Sequence, residues 1–240
     1  MELLNFEESW YFILRYLHFL AGITWIGVLY YFNFIQTPFF GSELGGTAKG
    51  AMTRGLVPNA LWWFRWGAMF TFITGWLIIL TKIGHDGIPL GSGYITRILT
   101  GGLMGTLMWA NVWFVIWPAQ KIVIANAENV AGGGEPDPAA AASGGKAGMA
   151  SRTNTLFSIP MLFFMAAASH FNSLGAELDT GGGSLAVYWP IALVLIGLVE
   201  VNGLIGPGAA SQKPLTTVKG TIHGGIALTV VLFLAALILL

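Results

Sequence analysis

The stretch WYFILRYLHFLAGITWIGVLYYFNFIQTP, from Trp10 to Pro38, constrains this chain more than any other. It is long enough to cross a bilayer, because ~20 apolar residues rising about 1.5 Å each cover a hydrocarbon core of ~30 Å. Yet Arg15 and His18 fall in its first third. An ionisable group at that depth costs on the order of 3 kcal/mol unless it finds a partner. Helical geometry sets Arg15, His18, Gly22, Trp25 and Leu29 on one face. That face offers a cation, an imidazole, a gap without a side chain and an aromatic floor, features that suit a flat cofactor with acidic arms. The same residues admit a plainer reading, in which Arg15 snorkels to the interface, His18 hydrogen-bonds a neighbouring helix and Gly22 permits close packing.

The rest of the chain places this stretch in a membrane protein. Of 240 residues, 55% are hydrophobic and 9% charged, against about 25% charged in soluble domains. The expected fold class is all-α, a polytopic bundle of about six transmembrane helices in one domain over residues 1–240. A net charge of zero gives no sign of nucleic-acid binding. The absence of cysteine excludes disulfides, thiolate metal sites, iron–sulfur clusters and thioether-linked haem. The acidic start (Glu2, Glu7, Glu8) leads into no short apolar core with a small-residue cleavage site. The first helix is therefore expected to be retained rather than removed as a signal peptide.

The expected spans run roughly Trp10–Ile35, Asn59–Leu80, Ile95–Trp117, Thr153–Phe171, Ala186–Ile205 and Val218–Leu240. Gly41–Pro58 is too polar and glycine-rich to span, and is expected at the surface. The composition of Ala131–Gly148 predicts a flexible cytoplasmic loop at about 130–150. Six spans put both termini on one side. That side holds Arg15, Lys82 and Arg97. The other holds Lys49, Arg54, Arg65, Lys121, Lys146, Arg152, Lys213 and Lys219. Positive loops stay in the cytoplasm, so both termini are expected to be periplasmic, in a bacterial inner membrane.

This arrangement sorts the histidines by depth. His18 and His170 fall in the outer half on different helices, His223 falls in the inner half, and His85 lies in an outer loop. Phe163, Ala166, Ala167 and His170 share a face, as do Gly220, His223, Gly224 and Ala227. Small residues beside a histidine leave room for something broad and flat, although membrane helices also use them for close packing. Two further polar residues, Glu200 and Asn111, lie deep in the fifth and third spans. An intramembrane carboxylate points to proton transfer or to a buried cation, and His223 lies at a compatible depth to pair with Glu200.

Three passages carry a resemblance: RYLHFLAGITWIGVLYYFNF, VWFVIWPAQKIV and SRTNTLFSIPMLFFMAAASHF. Together they resemble the membrane-bound urate oxidase (urate hydroxylase) family of bacteria. The first, with its histidine followed by tryptophan–isoleucine–glycine, is also similar to membrane haem-binding protoporphyrinogen oxidases and copper-resistance proteins. The residues matched are His18, Trp25, Gly27, Asn154, Pro160 and His170. The family joins its membrane domain to a C-terminal cytochrome c domain. This chain carries no Cys-x-x-Cys-His, so the resemblance implies a separate cytochrome c or other redox partner.

The function expected is that of an integral membrane b-type haem protein, acting in electron transfer or in oxidation of a small substrate. The resemblance adds urate or a related purine as substrate, which would make it a membrane haem oxidoreductase. Haem b would bind non-covalently, with His18 and His170 on the iron, His223 in reserve, and Arg15, Gly22 and Trp25 around the ring. Two alternatives remain. One is a copper or other metal site on the same histidines. The other is a non-catalytic subunit or small proton-coupled transporter using Glu200 and His223. Expected partners are the lipid bilayer and either a second copy of the chain or a larger membrane complex.

Overall fold

The computed structural model describes residues 6–170, 185–206 and 208–239. Phe171 and Leu240, the predicted ends of the fourth and sixth spans, lie outside them. Every regular element among the described residues is helical. Helix α1 (Phe6–Tyr30) continues through a π-helical turn (Tyr31–Gln36) into the short α2 (Thr37–Phe40). Ser42 then caps α3 (Glu43–Gly55), its side chain accepting from the Gly45 N–H at 3.0 Å. Helix α4 (Val57–Gly84) starts with Pro58 in its first turn, where the missing N–H is no loss. Ser92 caps α5 (Gly93–Ala110), which passes through a second π-helical turn (Asn111–Ile116) into α6 (Trp117–Ala131). Helices α7 (Ala139–His170), α8 (Leu185–Leu204) and α9 (Val218–Leu239) complete the bundle, with a 3₁₀ turn (Ala210–Thr216) before α9.

Five of these segments are long and apolar enough to cross a membrane: Ser9–Phe40, Val57–Gly84, Gly93–Ala131, Leu185–Leu204 and Val218–Leu239. Helix α7 covers the predicted fourth span but is not among them. Its polar run Ser151–Thr155 lowers its hydropathy, and the bundle accepts that run because α5, α6 and α9 pack around it. The segment predicted as a flexible loop is mostly helix. Asn126 and Asn129 of α6 reach across a turn at 132–138, accepting from the Asp137 N–H and donating to the Glu135 carbonyl, each at 2.7 Å. Asp137 then accepts from the Ala139 N–H at 2.8 Å, and a run of alanines, strong helix formers, begins α7 there.

Helix directions follow from contacts across the bundle. Tyr11 near the start of α1 bonds Asp86 just beyond the end of α4, so these two helices are antiparallel. Thr100 of α5 meets Tyr188 of α8, and Asn111 meets Glu200 further along the same pair. The start of α1, the 85–92 loop and the end of α7 therefore share one end of the bundle. Close helix packing, not apolar burial, must hold such helices together in lipid. At Gly101 a Cβ would stand 3.0 Å from the Met161 carbonyl oxygen of α7, so α5 and α7 touch nearly backbone to backbone. A similar approach at Gly67 brings α4 against the Trp25 backbone of α1.

Candidate functional site

Of the three histidines expected on the iron, His18 is the one with a hydrogen bond among the described residues. Its Nδ1 lies 3.0 Å from Thr74 Oγ1 on α4. A hydroxyl has one proton to donate, and Thr74 directs its proton to the Phe70 carbonyl at 2.6 Å. Thr74 can therefore only accept from His18. The imidazole is held as the Nδ1–H tautomer, and its Nε2 carries a free lone pair. Gly75 makes this approach feasible, because a Cβ there would stand 3.0 Å from His18 Cε1.

The rest of that face divides between packing and surface. Gly22 sits opposite Thr71, whose Cγ2 would lie 3.9 Å from an added Cβ. Trp25 is fully buried against α4, and its indole N–H has no acceptor. Helix α4 thus fills the gap at Gly22 and covers the aromatic floor. Arg15 is exposed, in a surface groove that it lines with Tyr11, Phe12, Tyr16, Phe19 and Lys82. At the rim, Asp86 accepts from Tyr11 Oη at 2.6 Å and Lys82 Nζ at 2.5 Å, with His85 Nδ1 at 3.2 Å. The bonds from Lys82, Tyr11 and His85, in that order, hold the Asp86 carboxyl well below its usual range.

His170 is exposed at the end of α7, and His223 is exposed on α9. Among the described residues no bond joins either of them to His18, and no group of three His, Cys, Asp or Glu side chains gathers around a metal-sized space. Ala167 is buried while Ala166 faces outward. Glu200 is not bonded to His223. It accepts instead from Asn111.

Asn111 belongs to a polar seam along α7 that is the most connected feature of the bundle interior. Asn111 Nδ2 donates to Asn154 Oδ1 at 2.9 Å and to Glu200 Oε2 at 3.1 Å, which uses both amide protons. Asn154 Nδ2 in turn donates to the Met108 carbonyl at 2.9 Å. Towards the far end, Asn33 Nδ2 donates to the Leu29 carbonyl and to Ser151 Oγ, at 2.9 and 2.8 Å. Tyr30 Oη and Ser158 Oγ meet at 2.9 Å. Both asparagines stand in π-helical turns. Such a turn breaks the regular i→i−4 ladder, and buried carbonyls need another donor there. Asparagine amides meet that need at Leu29 and Met108 while also docking each turn on α7.

Sequence reasoning singled out Asn111 and Glu200 but gave no role to Asn33 and Ser158, inside predicted spans, or to Ser151, just before the fourth. It also counted Arg97 and Arg152 only as topology markers. Arg97 is 6% exposed, and its Nε and Nη1 are buried without an acceptor. Arg152 is buried too, with Nη1 unpartnered. For Arg97 the available signal was an ionisable group inside a predicted span, as for Glu200, whereas Arg152 stood one residue before the predicted fourth span.

Residues 90–180 match the family model described as urate oxidase N-terminal, the family that the three passages above resemble. The match takes in Arg97, Asn111, Arg152, Asn154 and His170, whereas His18, Glu200 and His223 lie outside it. No curated protein and no solved structure matches the chain.

Proposed function

We propose that this chain is a membrane redox domain that holds haem b non-covalently and serves the oxidation of a small substrate, urate or a related purine. The observation that carries the cofactor is His18, whose Nδ1–H is fixed on Thr74 so that Nε2 is presented as a ligand. Metal-binding histidines are characteristically oriented by such a bond from the second ring nitrogen. His170 is the partner ligand in this reading and His223 the reserve, since both imidazoles are exposed and accept no fixed bond among the described residues. Arg15 stands one turn from His18 beside aromatic side chains and supplies a cation for a propionate. Bound haem supplies one-electron chemistry through Fe(II) and Fe(III). The chain's part is to orient the imidazole and to set a cation beside it.

The purine substrate rests on the match over residues 90–180. A cytochrome c or other redox partner as electron acceptor rests on the same resemblance. In this reading α7 is a sixth span, and both termini face the periplasm of a bacterial inner membrane, from the eight-to-three bias of Lys and Arg. The test is chemical. Acidified acetone should extract a pigment from the purified protein, and its pyridine haemochrome should be that of protohaem. A colourless protein from haem-replete cells would sink the reading.

The bond between Asn111 and Glu200 favours a second role, proton transfer through the bundle interior. It is compatible with the first, since oxidation of a purine releases protons. Proton uptake on reduction that survives Glu200→Gln would count against it.

A further inference from the structure

We infer that Arg97 forms a buried receptor for an anionic oxygen group that enters from the end of the bundle where α5 begins. Arg97 is the fifth residue of α5, about 6 Å along the axis from Gly93. Helical side chains lean towards the N-terminus of their helix, so its guanidinium reaches towards that end. It does not reach water in the way Arg15 does. Arg97 is 6% exposed, and both Nε and Nη1 are shielded without an acceptor. The neighbouring Thr96 is 1% exposed, and its hydroxyl also lacks a partner.

Other polar groups at this level are satisfied. Thr100, one turn further along, bonds the Thr96 carbonyl and Tyr188 Oη. Arg65, also within a membrane-length helix, lies 3.5 Å over the Trp117 ring and donates to the Leu61 carbonyl. A guanidinium cannot shed its proton as a buried lysine does. Leaving one buried and unpaired is strongly unfavourable, so the arrangement is built for a negative partner. Among the described residues the ion pairs involve Asp86 and none reaches Arg97. The planar fork of Arg97 fits an oxyanion: the charged edge of a urate-type heterocycle, inorganic phosphate or a lipid phosphate. The urate arm rests on the function proposed above. The receptor itself does not.

The test uses the full chain in nanodiscs and reads the thermal unfolding midpoint together with equilibrium binding. The probes are urate in neutral-lipid discs, inorganic phosphate in neutral-lipid discs, and discs containing phosphatidylglycerol. In at least one arm the wild-type midpoint should rise. In that arm Arg97→Gln should abolish the rise and weaken binding at least tenfold, whereas Lys49→Gln, at an exposed lysine of α3, should leave both unchanged. Arg97→Lys, which keeps the charge but loses the planar fork, should weaken binding several-fold and serves if Arg97→Gln does not fold. A response to urate identifies a substrate anion. A response to phosphatidylglycerol alone identifies a headgroup, leaving the receptor standing and the urate reading without support. An identical wild-type midpoint in all arms overturns the inference, and so does an equal response from Arg97→Gln, or from Arg97→Lys where it is the variant in use.

Discussion

Thr74 accepts the Nδ1–H of His18 at 3.0 Å because its own hydroxyl proton is already engaged by the Phe70 carbonyl. One bond within α4 thereby fixes the tautomer of a histidine on α1. The consequence reaches from local helix chemistry to ligand capacity, since the second ring nitrogen is left unprotonated on a partly exposed residue.

Thr74→Val removes that acceptor while keeping the side-chain volume close. The ring would then choose its tautomer and rotamer freely. Loss of such an orienting bond typically lowers metal affinity 10–100-fold. Haem occupancy after purification should fall in Thr74→Val, with unchanged elution volume and helical content. Full occupancy with an unaltered spectrum would show that the bond does not matter to ligation.

Asn111 ties α7 and α8 together through Asn154 and Glu200. Asn111→Ala strands the buried Asn154 Oδ1 and leaves the part-buried Glu200 Oε2 without its donor, a loss of about 1–3 kcal/mol. Typical interhelical bonds in membranes contribute only ~0.6 kcal/mol, because the unfolded chain finds other partners there. Because the two asparagines share a bond, Asn111→Ala and Asn154→Ala should destabilise together by less than their sum. A double-mutant cycle of unfolding midpoints checks this, and strict additivity would argue against the shared network.

The clamp between Tyr11, Lys82 and Asp86 carries a pH dependence of known sign. The carboxyl is held below its ordinary value of 3.8 in the folded protein. Its contribution is therefore complete above that value, and is lost as the pH falls through it and beyond. The difference in unfolding midpoint between wild type and Asp86→Asn should be constant from neutral pH down to mildly acidic conditions. It should close only in strong acid. A difference that closed near neutral pH would contradict the assignment.

Much of this arrangement is legible in the sequence, because apolar length alone marks the helices that α1, α4, α5, α8 and α9 form. Helix α7 is harder to read by hydropathy, since Ser151, Arg152, Thr153 and Asn154 become acceptable only once other helices surround them. The alanine run after Pro138 was obscured by its neighbouring glycines, which lower helix propensity but do not forbid it beside a well-tied turn. The π-helical turns at Asn33 and Asn111 left no local signature, for they depend on partners such as Ser151 and Asn154 that lie more than forty residues away. Gly22 illustrates the converse difficulty. A small residue signals that something comes close, and the sequence does not distinguish a porphyrin from Thr71.

Topology is tested by a reporter fused after Leu240. With both termini outside, a reporter that works only in the periplasm should be active and a cytoplasmic one silent. Reversed activities would move His18 to the cytoplasmic half and reverse the side from which Arg97 is reached.

The most direct test of the account is the absorption spectrum of the purified protein, oxidised and then reduced with dithionite, in wild type and in three alanine variants. The account predicts a Soret band with low-spin bands on reduction. His18→Ala and His170→Ala should each abolish that spectrum or convert it to high spin, and His223→Ala should leave it nearly intact. A wild-type protein without a Soret band, or a normal low-spin spectrum in His18→Ala, would contradict the claim that His18 holds the haem.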